Sequence, residues 1–105
     1  MIKNIYTEQF LPLLTQDNML IVDVREEDEY ALGHIPGAIN LPLSRFHDAD
    51  FPDDKDIVFY CRSGYRSQIA IEYYCSHRAL NEAERKYFDY KDGYLGFVKS
   101  QQQVS

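Results

Sequence analysis

Residues 19–24 read Met-Leu-Ile-Val-Asp-Val, and residues 57–60 read Ile-Val-Phe-Tyr. Neither run alternates between apolar and polar positions. A strand with one wet face must alternate, so a continuous run means burial on both faces, the condition of strands inside a parallel sheet. Between them, residues 25–33 form a short helix with acidic residues crowding the first turn and Gly33 as its C-terminal stop. Residues 34–42 give a turn at Pro36 and Gly37, then a short strand over 38–41. A helix starts near Ser67, carries Ile69, Ala70, Tyr73 and Tyr74 at helical spacing, and fades near Asn81. Residues 86–90 are a further strand and 92–100 a closing helix, while Thr7 is expected to cap a short helix from Glu8 to Leu14 that Pro12 keeps irregular. Residues 46–56 read as a polar, acidic loop and the last five residues as a frayed tail. Strands alternating with helices specify an α/β fold: a small, mainly parallel β-sheet flanked by α-helices on both faces. In such sheets ligands bind beyond the C-terminal ends of the strands.

The 105 residues suffice for one domain, so residues 1–105 are read as a single domain with its own core. A formal charge of −6 argues against a protein that wraps nucleic acid or rests on an anionic membrane, and neither partner is expected. Two cysteines make no disulfide framework, and no Cys-x-x-Cys or Cys/His cluster offers a zinc site; no metal or cofactor is expected. The first 14 residues interrupt their apolar positions with Lys3, Asn4, Thr7, Glu8, Gln9 and Pro12, leaving no signal-peptide core or membrane span. A reducing, cytoplasmic compartment is the expectation.

Cys61 follows the second buried run directly and so stands at the sheet's C-terminal edge. Gly64 can take positive φ and curl the chain toward the next helix. In a curled loop feeding a helix N-terminus, successive N–H groups converge into an anion-binding nest, to which Arg62 and Arg66 add full charges. A thiol at the rim of that nest is acidified, since an ordinary cysteine, with a pKa of roughly 8.5, is only slightly ionised at neutral pH. The loop therefore activates a sulfur nucleophile and binds an anion. The bland alternative, a buried structural cysteine beside two surface arginines, does not explain why glycine and two arginines share so short a loop.

DVREEDEYALGHIPGAINLP followed by CRSGYRS resembles the rhodanese family of sulfurtransferases, over about Leu20 to Phe97 and with both motifs in the family's order. The resemblance implies a rhodanese-like fold and a catalytic Cys61, which takes a sulfane sulfur from thiosulfate or a similar donor as a persulfide. A thiophilic acceptor, cyanide in the assay and a thiol or protein in the cell, then removes it. Arg62, Ser63, Gly64, Tyr65 and Arg66 correspond to the active-site loop that surrounds the persulfide. The partners so implied are a small anionic sulfur donor and a thiol or protein acceptor. The attacking group is already an anion and sulfite leaves as one, so no general base is required. A cysteine hydrolase would need a positioned histidine, and none of His34, His47 and His77 adjoins the loop in sequence. Thiol phosphatases and arsenate reductases share a cysteine-and-arginine cradle but place five residues between the two; here four separate Cys61 from Arg66, a tighter nest suited to sulfane sulfur. A different class of function, a persulfide carrier or sensor module for a protein partner, shares the same loop.

Asp23, Arg25, His34 and Ser67 are supporting positions. Asp23 and Arg25 match the family's Asp-Val-Arg segment and are expected to organise the strand-to-helix turn, with Arg25 pairing Glu29 at i, i+4. His34 opens the next turn, where a hydrogen bond fixing that turn outweighs a ligand role. Tyr65 can wall the substrate pocket or merely cover the loop. Asp92-Gly93 stands where the family has paired glycines, Phe97 replaces the closing tryptophan, and the stretch after the long helix lacks a glycine. These departures touch scaffold positions. Cys75 lies eight residues beyond Ser67, about 12 Å along a helix, too far for a disulfide to Cys61.

Overall fold

The computed structural model describes residues 2–48, 50, 51, 54–76 and 86–102. Five parallel strands form one sheet in the order β1-β5-β4-β2-β3: β1 (Ile2–Ile5), β2 (Met19–Asp23), β3 (Ile39–Asn40), β4 (Asp56–Tyr60) and β5 (Tyr87–Tyr90). The helices are α1 (Thr7–Phe10), α2 (Glu27–Leu32), α3 (Tyr65–Ser76) and α4 (Gly93–Gln102). Burial on both faces, inferred from the continuous apolar runs, is visible in β4, where successive side chains point to opposite faces. Ile57 and Phe59 join Val22, Ala70 and Tyr74 on one side. Val58 and Tyr60 join Ile5, Phe10, Tyr90 and Phe97 on the other. Helix α3 presents Ser67, Ala70, Ile71 and Tyr74 inward, the i, i+3, i+4, i+7 stripe of a helix on a sheet.

The structure departs from the sequence reading at three points. Strand β1 was not foreseen: three of its four residues are exposed, and only its pairing with β5 makes it a strand. Thr7 is not a cap but the first helical residue; its hydroxyl bonds Tyr90 Oη at 2.6 Å and Asp92 Oδ2 at 2.9 Å, tying α1 to the far end of the chain. Beyond Phe10 the irregularity expected from Pro12 takes the form of 3-10 geometry over Leu11–Thr15, where Pro12 withholds an N–H donor. Among the acidic residues of the supposed polar loop, Phe46 and Phe51 are buried, packing on Phe59 and Tyr74. Apolar burial of two rings outweighed the loop's average polarity.

Helix α3 begins at Tyr65, two residues before the expected start, so only Arg62, Ser63 and Gly64 separate Cys61 from it. The expected tail of that helix beyond Ser76, with His77, lies outside the described residues, as do 103–105 of the expected frayed terminus; Gln101 and Gln102 are not frayed but continue α4. No helix among the described residues is long and apolar enough to cross a membrane.

Candidate active site

Cys61 leaves β4 at the C-terminal edge of the sheet, with only 1% of its surface exposed. Gly64 turns the chain with φ of +101°, and its N–H donates to Cys61 Sγ at 3.1 Å. A side chain at Gly64 would meet the Lys91 carbonyl oxygen at 2.5 Å, so both conformation and space require glycine. The loop is gripped from behind by the first turn of α4. Tyr94 N–H donates to Cys61 O at 2.8 Å and Leu95 N–H to Arg62 O at 3.1 Å. Gly93, at φ of +64°, lets the two segments approach, since a Cβ there would lie 2.6 Å from the carbonyl oxygens of both Cys61 and Arg62. With its carbonyls held at the back, the loop offers its amides to the sulfur.

Burial pushes the Cys61 thiol up, but the N–H groups of Ser67, Gly64 and Ser63 point at the sulfur and favour its thiolate, and the thiol lies below its ordinary range. Ser67, the third residue of α3, is fully buried, with its Oγ 3.7 Å from Sγ. Its hydroxyl donates to Asp89 Oδ1 at 2.7 Å. Asp89 comes from β5 and was not singled out in the sequence, though an acid inside an otherwise apolar strand is a placement that demands a partner. Its other oxygen pairs with Lys91 Nζ at 3.1 Å, and Lys91 also reaches the Gly64 carbonyl at 3.3 Å.

Arg66 stands at the rim with a partner that was not expected. It forks onto Glu29 of α2 at 2.7 and 2.9 Å, and this bond holds the Glu29 carboxyl down at about 2. The expected Arg25–Glu29 pair is therefore absent. Arg25 precedes α2 rather than joining it, so the i, i+4 spacing does not apply, and its guanidinium turns back onto Asp23 at 2.7 Å. That buried pair is the organising centre of the turn: Tyr60 donates to Asp23 Oδ2 at 2.6 Å, and Arg25 donates to Gly33 O at 2.6 Å and lies over the Tyr94 ring at 4.3 Å. Arg62 and Ser63 are exposed, and Tyr65 is 73% exposed, standing in solvent rather than closing over Sγ. His34 is exposed, stacks on Tyr30 and bonds the Tyr30 carbonyl at 3.0 Å, which fixes the turn. Among the described residues no cluster of His, Cys, Asp and Glu could hold a metal ion.

Glu29 ionises well below the usual 4.5, so its pairing stabilises the fold above that pH and is lost as the pH falls through about 2. Glu29→Gln should cost about 1 kcal/mol near neutrality and flatten the pH dependence of stability across that window, as read by thermal unfolding.

The profile of the rhodanese-like domain matches residues 7–100. The chain belongs to the rhodanese-like domain family. It is 53% identical over 47 residues to an HTH-type transcriptional regulator of Mycobacterium tuberculosis, covering 43% of this chain and 21% of that protein. It is 39% identical over 79 residues to a thiosulfate:glutathione sulfurtransferase of Saccharomyces cerevisiae, covering 61% and 57% respectively. It thus spans less than two thirds of these relatives. A human single-domain sulfurtransferase superposes with a TM-score of 0.75 at 25% identity, covering 91% of this chain and 95% of the other.

Proposed function

We propose that the protein is a sulfurtransferase that moves a sulfane sulfur from thiosulfate or a similar anionic donor, through a persulfide on Cys61, to a thiophilic acceptor. What supports this above all is the Gly64 N–H held 3.1 Å from a sulfur whose ionisation the surrounding amides favour. The Cys61 thiolate attacks the outer sulfur of thiosulfate. The Sγ–S bond forms as the S–S bond of the donor breaks, and sulfite departs with that electron pair. The terminal sulfur then carries the negative charge that the amides of the loop are placed to stabilise. Attack on it by cyanide or a thiolate returns the Sγ–S electron pair to Cys61. No proton need move in either half-reaction, so no general base is required. The likeness to the yeast and human sulfurtransferases supports sulfur transfer as the chemistry.

The Arg66–Glu29 fork favours attention to a second reading, in which the module relays a persulfide to a protein with little thiosulfate turnover. With Arg66 paired to Glu29, part of its charge is offset, and exposed Arg62 shares with it the cationic pull on a small dianion. Steady-state thiosulfate:cyanide turnover, set beside single-turnover transfer from loaded Cys61 to a thiol, separates the two. Loading with thiosulfate should add about 32 Da at Cys61, one sulfur atom on the reactive thiolate; no adduct would defeat both. Arg66→Ala should raise the pH at which Cys61 alkylates and lower thiosulfate turnover about tenfold, equivalent to about 1.4 kcal/mol. Cys75, on α3 at the margin of the core, should be dispensable. Cys75→Ala is expected to retain turnover, and peptide mapping after mild oxidation should find no Cys61–Cys75 bond.

A further inference from the structure

Behind Sγ lies a buried carboxylate that the proposed reaction does not use. Asp89 is 1% exposed, and its Oδ1 accepts a hydrogen bond from the Ser67 hydroxyl at 2.7 Å. A hydroxyl has one proton to give. While it points at Asp89, Ser67 can turn only lone pairs toward Cys61. Those lone pairs accept a thiol proton, as the 3.7 Å contact from Sγ to Oγ allows, but they oppose a thiolate. The negative charge of Asp89 acts in the same sense, because a like charge nearby disfavours ionisation. The charged groups facing Cys61 are few. From the helices come Arg66 and its partner Glu29, from the loop Arg62, and from the strand side Asp89 with Lys91. Lys91 offsets part of the Asp89 charge, shares itself with the Gly64 carbonyl and Gln68, and is 21% exposed.

We propose that Asp89 is a positioning residue which, acting through Ser67, restrains ionisation of Cys61 against the pull of the amide nest. The restraint has a chemical use. A thiolate's nucleophilicity falls as its pKa falls, and the best attacking thiol has a pKa near the ambient pH. A nest of buried amides acting alone pulls the sulfur toward the less nucleophilic end of that trade-off. Asp89 opposes it from the side away from solvent, leaving the mouth clear for a donor. The advantage rests on the reading that Cys61 attacks sulfur, whereas the effect on its proton does not.

The test is the rate of iodoacetamide alkylation of Cys61 against pH, in the full chain carrying Cys75→Ala so that one thiol reports. Asp89→Asn keeps the size of the side chain and removes the charge, and it should lower the midpoint by about one unit. Lys91→Met, which leaves Asp89 unpaired, should raise it. In a Ser67→Ala background the Asp89→Asn shift should shrink to less than half, because the conduit is gone. An unchanged or raised midpoint in Asp89→Asn overturns the proposal, and a full shift retained without Ser67 overturns the route through it. If Asp89→Asn does not fold, Lys91→Met decides, and an unchanged or lowered midpoint refutes. Alkylation reads the proton alone, so these shifts should appear even in a protein that moves no sulfur.

Discussion

Cys61→Ser should reduce sulfur transfer by on the order of 10⁴-fold or more while leaving the unfolding temperature nearly unchanged. Both halves follow from the geometry. The loop amides are arranged around the sulfur and favour its ionised form, whereas a serine hydroxyl in the same place stays protonated at any accessible pH and cannot hold a sulfane sulfur. The loop's shape does not depend on the thiol. It depends on Gly64, on the approach of Gly93, and on the bonds from Tyr94 and Leu95 to the carbonyls of Cys61 and Arg62. Turnover by the thiosulfate:cyanide assay, together with thermal unfolding, checks both. Substantial residual turnover would remove Cys61 from the reaction, and a collapse in stability would show that the thiol holds the loop.

Arg25→Leu should be the most destabilising change near the site, costing about 3–5 kcal/mol. Arg25 is 4% exposed and Asp23 is fully buried, so removing the cation strands a carboxylate in the interior. The same guanidinium holds Gly33 O at the end of α2 and lies against Tyr94 on α4, so the turn and the support of the loop loosen together. For a domain of this size the loss corresponds to a drop of roughly 15 °C or more in Tm. Pairing it with Asp23→Asn should recover part of the loss, because two absent partners cost less than one orphaned charge. A single variant that melts within a few degrees of the parent would show that water or movement satisfies Asp23.

The central strands and the position of Cys61 at the sheet's edge were legible because their signals are local. Two uninterrupted apolar runs mark buried strands, and Cys61 with Gly64 marks a loop at the end of one. What escaped depends on partners distant in sequence. Lys3 and Asn4 carry no strand pattern, and only pairing with Phe88 and Asp89 makes them one. Glu29 looked like a partner for Arg25 because the two are four apart, but the fold brings Arg66 to it across 37 positions. Asp89 offered a hint, a charge inside an apolar strand, yet nothing local says that it sits beside Ser67 behind Cys61. Phe46 and Phe51 were hidden by their acidic neighbours. An average over a segment conceals a pair of rings that face inward.

The parallel pairing of β1 with β5, with the Thr7–Asp92 bond beside it, joins positions 85 apart. During synthesis, the first strand of this sheet to emerge therefore has no neighbour until the final strand has left the ribosome, and it must remain unpaired while the middle of the sheet assembles. The carbonyls of Cys61 and Arg62 wait on the same event, since the amides that hold them belong to α4, which follows β5. A nascent chain stalled before α4 can hold β2 beside β4 and already carries its thiol, but the grip on the loop is missing. The backing of the Cys61 loop is thus completed only when α4 docks, after the rest of the sheet has formed.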